Sequence, residues 1–348
     1  MKVVVEHTKA LFKNTDEAPP WARMTICSLA TGIPLLVGWW QGELNSAIYA
    51  SLLGYFVALN DHLGSLVHRL LVATLSFVAL IAAFVLGVSL HEHFAIFISI
   101  TLLLTYWLGL MGGLGAEAER LLLFSSIQIL VAYYTPRMGT GSLDSLLHYG
   151  LIGYSVVLLG MVISNHFLRG KTLEYARLHS SLLSSLTFSR RRHIYAFSYM
   201  VAALLAILCI QYFVIERGYW TIVTVMLIMK PDHKESVYRS LQRFIGTLVG
   251  VGLGEALIVS TQSVQVLIIG VMISAFLIPY AMKRNYWLVS FFVSIVVMFL
   301  LSIPVIGHPD THLPFVRLEA TLYGCLLSVV GVLLFKVIEK IFIKIPTQ

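Results

Sequence analysis

The chain has 348 residues, 58% hydrophobic and 12% charged, with a mean hydropathy of +0.86 and a formal net charge of +7. A soluble globular chain carries about a quarter charged residues, and this one has too little polar surface to cover its apolar content. That excludes a soluble protein, and the positive charge reads as membrane topology before it reads as attraction for a partner such as nucleic acid. A spanning segment must pair its backbone within a helix or a closed barrel. Runs such as Leu151–Leu168 and Tyr323–Phe335 are too continuous for the in–out alternation of barrel strands. The fold class expected is an all-α polytopic membrane bundle.

Met1–Met24 does not read as a secretory signal, because its apolar run is three valines broken by Glu6. Pro19 and Pro20 end this segment, and Arg23 marks the entry to the first span. The apolar pattern predicts twelve transmembrane helices, roughly 24–41, 45–60, 66–90, 93–111, 119–135, 144–168, 195–215, 218–230, 238–260, 263–281, 285–305 and 315–342. The second and eighth are the shortest and are expected to be tilted, broken or partly inserted. With the N-terminus in the cytoplasm, every Lys and Arg except Arg137, Arg217 and Arg317 falls in a cytoplasmic segment or its flank. That bias predicts an N-in, C-in arrangement.

The chain echoes itself. Asp61-His62 follows the second predicted helix, and Asp232-His233 follows the eighth, 171 residues on. Gly153 and Gly324 stand at the same offset, while Arg69 resembles Arg243 and Pro136 resembles Pro304 at offsets three residues away from it. Two six-helix halves, 1–168 and 195–348, are therefore expected. An even number of spans in each makes the repeats parallel. Residues 169–194 join them, with Tyr175, Leu178, Leu182 and Leu186 at helical spacing, so a cytoplasmic amphipathic linker ending at Arg190-Arg191-Arg192 is predicted.

The stretch Tyr219–Glu255 gathers most of the candidate chemistry. An apolar segment ends on Lys230, and a polar elbow of Pro231, Asp232, His233, Lys234 and Glu235 follows. The next helix carries Arg239 and Arg243 one turn apart, then Gly246, Gly250 and Gly254. Two guanidinium groups near a helix N-terminus, with its free N–H groups, attract an anion. The plainer alternative is that they anchor the helix or pair with Asp232 and Glu235. Glycines at spacing four let helix backbones approach closely, and lining a substrate path is the rarer use. Glu255 is an ionisable residue inside a span and, with Asp232, a candidate for proton coupling.

A second stripe lies on the last helix. Arg317, Thr321, Gly324, Ser328 and Gly331 share one face at spacings of three and four. Arg317 either receives an anion or holds Glu319 or Asp310. In the first half, Arg69 has no glycine ladder behind it, and Asp61, His62 and His68 read as loop groups that could titrate. Glu117, Glu119 and Arg120 read as a local charge cluster. His91-Glu92-His93 has poor spacing for a metal on a helix. Lys283-Arg284-Asn285-Tyr286-Trp287 is a membrane-interface pattern. Cys27, Cys209 and Cys325 all sit in apolar segments without ligand or disulfide spacing. There is no phosphate-binding G-x-x-x-x-G-K-[ST] run and no nucleophile elbow, so neither a cofactor nor an enzymatic activity is expected.

The elbow KPDHKESVYRSLQRFIGTLVGVGLG resembles the signature of the fusaric-acid-resistance (FUSC) family of bacterial inner-membrane proteins, which include aromatic acid exporters. The matching residues are Trp220, Pro231, Arg243, Gly246 and Thr247, then Asn285-Tyr286-Trp287 and the series Arg317, Thr321 and Gly324. The likeness covers mainly residues 195–342, and Arg69 lacks the Gly-Thr pair that follows Arg243. Plant aluminium-activated malate transporters are similar in membrane plan but more distant. The resemblance implies a bacterial inner-membrane exporter of organic anions, aromatic or carboxylated, with a periplasmic adaptor protein as a partner. On it, Arg243, Thr247, Arg317 and Thr321 are the expected substrate contacts; the elbow reading adds Arg239, and helical spacing makes Gly246, Gly250, Gly254 and Gly324 packing residues. A passive anion channel and a non-transporting scaffold for envelope partners are the rival readings. Homo-oligomerisation stays open.

Overall fold

The structure is a computed structural model that describes residues 17–61, 64–134, 143–167, 183–184, 187–261, 263–306 and 312–343. Among these are twelve α-helices: α1 (Trp21–Gln41), α2 (Leu44–Leu59), α3 (Leu66–Ser89), α4 (Phe94–Met111), α5 (Ala116–Tyr134), α6 (Leu143–Phe167), α7 (Arg190–Phe213), α8 (Tyr219–Ile228), α9 (His233–Ser260), α10 (Val264–Arg284), α11 (Tyr286–Ser302) and α12 (Leu313–Ile343). A single 3₁₀ turn, Ile303–Val305, extends α11. The helical class read from the sequence holds, and no strand occurs among the described residues.

Nine of the described helices are long and apolar enough to cross a bilayer, fewer than the twelve spans expected. The two short apolar helices are α2 and α8, the pair singled out from the sequence. The third helix outside the nine is α5, whose first turn holds Glu117 and Glu119. Most of the predicted amphipathic linker, Asp310, His62 and Pro136 lie outside the described residues.

Two helix starts move by five residues. α9 begins at His233, five residues before the predicted 238, because Asp232 caps it: its Oδ1 accepts from the N–H of Lys234 at 2.7 Å and of Glu235 at 3.3 Å. α7 begins at Arg190, so the arginine triplet is its first turn and not a stop before it. Cations at a helix start oppose the helix dipole. Arg191 offsets this with an ion pair to Glu339 at 2.6 Å, and Arg192 donates to the carbonyls of Ser184 and Thr187.

The chain forms two compact units, and each takes segments from both sequence halves. One comprises Met1–Phe77, Arg137–Leu173 and Gln242–Leu318; the other comprises Val78–Pro136, Glu174–Leu241 and Glu319–Gln348. In the first, α1, α2 and α6 pack on one another, and α10 packs on both α1 and α11. Pro34 explains the closeness of the first three. It sits inside α1 and has no N–H, so the carbonyl of Ala30 one turn earlier loses its helical partner. Gly54 of α2 and Gly153 of α6 close on that carbonyl: a methyl group on either would stand 2.7 Å or 3.0 Å from Ala30 O. Cα–H groups can satisfy such a carbonyl weakly.

In the second unit, α4 packs on α7, α8 lies against α7 and α5, and α5 also packs on α4. Gly109 meets the backbone of Ala196, and the Tyr199 hydroxyl donates to the carbonyl of Met226 at 2.6 Å. Phe97 stacks on Tyr133 at 3.6 Å, and Tyr134 stacks on Tyr219. These rings fix α4, α5 and α8 around one aromatic core.

Candidate functional site

Within the first unit, the glycines of α9 face α11. A Cβ on Gly246 would collide with the carbonyl of Trp287 and the side chain of Ser290, and one on Gly250 would stand 2.5 Å from Phe291 O. Gly254 faces Met298 more loosely, at 3.3 Å. The two backbones are therefore in contact along the ladder, which also brings Ser290 and Ser294, both fully buried, against α9.

Arg243 and Thr247 lie one helical turn apart on α9 and are 1% and 0% exposed. The Nε and Nη2 of Arg243 and the Oγ1 of Thr247 have no hydrogen-bond partner among the described residues. A guanidinium cannot shed its charge as a lysine can, and a buried, unpaired charge costs several kcal/mol. The position thus has spare donors suited to a carboxylate, which the fork of the guanidinium engages through two parallel bonds. Arg317, near the start of α12, is 2% exposed and belongs to the same unit.

The second unit contains the other expected substrate contacts. Thr321 is fully buried on α12, and Gly324 faces Thr224 and the carbonyl of Thr221 on α8. Thr221 and Thr224 are also fully buried, and neither hydroxyl has a partner among the described residues. Sequence reasoning misses both. Their signal is two hydroxyls three apart in the apolar run Tyr219–Ile228. Arg239 is half-exposed and engaged elsewhere, paired with Glu235 one turn back at 2.9 Å.

The elbow is closed by its own polar groups. The N–H of Lys230 donates to Ser236 Oγ at 2.8 Å, and that hydroxyl donates in turn to Lys230 O at 3.0 Å. The Lys230 ammonium pairs with Glu119 at 2.5 Å, so the charge cluster of α5 has a specific partner. His233 meets Glu339, which also holds Arg191. Asp232 is exposed and serves as the helix cap, while Glu255 is half-buried on α9.

In the first half the contrast is sharp. Arg69 is 5% exposed and Asp61 7% exposed, and they form a two-pronged ion pair, Nε to Oδ1 at 2.8 Å and Nη2 to Oδ2 at 2.7 Å. Arg69 Nη2 also donates to Ser164 Oγ of α6 at 3.1 Å. Asp61 is therefore a buried ion-pair partner and not the loop carboxylate expected from the sequence. The cue for the pair is its place eight residues before an arginine that opens the next helix. A separate open cleft of about 410 Å³ is lined by Gln41, Glu43, Asp144, Ser145 and His148, and its two carboxylates make it unsuited to an anion. Among the described residues, no cluster of three His, Cys, Asp or Glu is placed to hold a metal.

Residues 198–331 match the family model described as fusaric acid resistance protein-like. This stretch is similar to that family. The resemblance seen in the elbow and in the Arg317 series is thereby borne out, and with the apolar helices it makes the chain a multi-pass membrane protein. The matched region takes in α8 to α11, most of α7 and α12 up to Gly331, and so includes Arg243, Thr247, Arg317 and Thr321. A protein of Haemophilus influenzae (strain ATCC 51907 / DSM 11121 / KW20 / Rd), described as an uncharacterized protein, is 26% identical over 147 residues, 42% of this chain and 20% of its own length. The match thus spans about a fifth of that relative. No solved structure matches the chain.

Proposed function

We propose that this protein is an inner-membrane transporter that exports organic anions, aromatic or carboxylated, by a proton-linked route. The observation that carries the reading is Arg243. It is a permanently charged group in a membrane-spanning helix, 1% exposed, with two of its nitrogens unpaired among the described residues. Charged residues inside spans are costly and mark substrate or ion paths by default. Thr247 adds a hydroxyl on the same face, and the Arg317–Thr321 stripe supplies a second polar stretch. The family match supports transport over catalysis. In this reading the substrate enters near Arg243 and leaves past Arg317, in a chain oriented N-in and C-in. A periplasmic adaptor protein is the partner that the family likeness suggests.

The test is efflux of labelled benzoate from cells expressing the wild type or Arg243→Ala at matched membrane levels. Loss of efflux is expected, and unchanged efflux sinks the role of Arg243. One observation favours the passive-channel rival. Asp232, one of two carboxylates put forward for proton coupling, is engaged in solvent as the cap of α9. In liposomes, anion currents that follow the membrane potential alone, with no response to a pH gradient, would decide for the channel.

A further inference from the structure

Thr221 and Thr224 stand one turn apart on α8, are fully buried, and have no hydrogen-bond partner among the described residues. Thr105, Ser198 and Ser328, buried in the same unit, each bond back to the carbonyl four residues earlier. The two threonines of α8 do not. Nine of the ten residues of that helix are buried, so bulk water does not reach them either. Each hydroxyl is held at the full cost of its desolvation. Their face of α8 meets α12. A methyl group on Gly324 would stand 2.5 Å from Thr224 Cβ and 2.9 Å from Thr221 O, so the two helices touch there. Thr321 and Ser328, also fully buried, lie one turn to either side of Gly324 on α12. The link that leads into α8 is strained as well. Val214 and Arg217 hold φ values of 51° and 49°, which residues with a side chain rarely adopt, a β-branched one least of all. Strain of this kind clusters at elements that switch.

We propose that the seam between α8 and α12 is a gate, shut in this structure, that opens to let water reach Thr221 and Thr224. Two unpaired hydroxyls raise the energy of the shut form, and hydration of both lowers that of the open one. The opposing contacts are on other sides of α8: Tyr199 donates to the carbonyl of Met226, and Tyr219 stacks on Tyr134. These hold the helix to α7 and α5, so the seam parts where α12 meets it. Gly324 sets how tightly it shuts, because any side chain there would press on Thr224. Once open, the seam offers water and small polar molecules a hydroxyl-lined strip beside Thr321. All of these residues belong to the second unit, and the gate stands or falls separately from the role of Arg243.

The experiment uses the full chain in detergent, carrying Ser328→Cys as a reporter in the seam. Labelling by N-ethylmaleimide is followed at each cysteine by mass spectrometry. Cys27, fully buried in the other unit, reports global unfolding. The introduced thiol is expected to label well ahead of Cys27, and labelling no faster than Cys27 overturns the gate. Adding Thr221→Val and Thr224→Val nearly keeps the shape of both side chains and removes the hydroxyls. Labelling in the seam should then slow at least about tenfold while Cys27 is unchanged, because the shut form loses its unpaired groups. An unchanged rate in the seam overturns the proposal. Should the valine pair fail to fold, Gly324→Ala carries the test. Its methyl group has no room in the shut seam, so the introduced thiol must label faster while Cys27 stays slow. Acceleration at both thiols alike, or at neither, overturns the proposal.

Discussion

Arg69 and Arg243 are buried to nearly the same degree, at 5% and 1% exposure, and follow the same Asp-His pair in the sequence. Yet one guanidinium is neutralised from within, while two nitrogens of the other have no hydrogen-bond partner among the described residues. The difference is a matter of helix register. Asp61 stands eight residues before Arg69 and outside α3, and its carboxylate reaches back onto the first turn of that helix. Asp232 stands eleven residues before Arg243 and abuts α9 directly. At 1.5 Å per residue, that places about 16 Å of helix between the cap and the arginine. Three residues therefore separate an arginine that braces the protein from one with donors to spare.

That comparison predicts opposite signs for stability. The largest effect is expected for Asp61→Ala, which strands a buried cation and should cost about 3–5 kcal/mol; thermal unfolding in detergent measures it, and a loss below about 1 kcal/mol, the size of an exposed pair, would mean the pair is not structural. Next comes Gly250→Ala. Its methyl group would press on the carbonyl of Phe291, and overpacking of this kind costs about 1–3 kcal/mol by the same measurement. Arg243→Met should go the other way, raising stability by up to about 2 kcal/mol because it removes a buried charge two of whose nitrogens lack a partner among the described residues, while efflux falls. A variant that loses both would make Arg243 a structural residue like Arg69. The smallest change is expected for Arg239→Ala, whose partly exposed pair with Glu235 is worth under about 1 kcal/mol.

The helices are legible in the sequence because apolar runs bounded by charge leave little choice in a bilayer. Their ends are less so. The start of α9 turns on Asp232 acting as a cap, and the start of α7 on the ion pair of Arg191 with Glu339, a residue far along the chain. The burial of Arg243 is also readable, since the residue falls inside a span. Its difference from Arg69 is not, because nothing local says that Asp61 folds inward while Asp232 faces solvent. Thr221 and Thr224 are hidden for another reason: α8 is apolar around its whole circumference, so no periodicity marks the hydroxyls.

The make-up of the compact units bears on how the protein is made. The unit that contains α1 and α2 is completed by residues up to Leu318, almost the whole length of the chain away. Contacts of such separation are slow to form, and a chain synthesised from its N-terminus cannot make them early. The first helices to enter the bilayer must then wait, held by lipid and translocation machinery, until α10 and α11 arrive. Residues 1–168 expressed alone would lack those partners, and a polypeptide cut in the linker should regain its fold only when both pieces are made together.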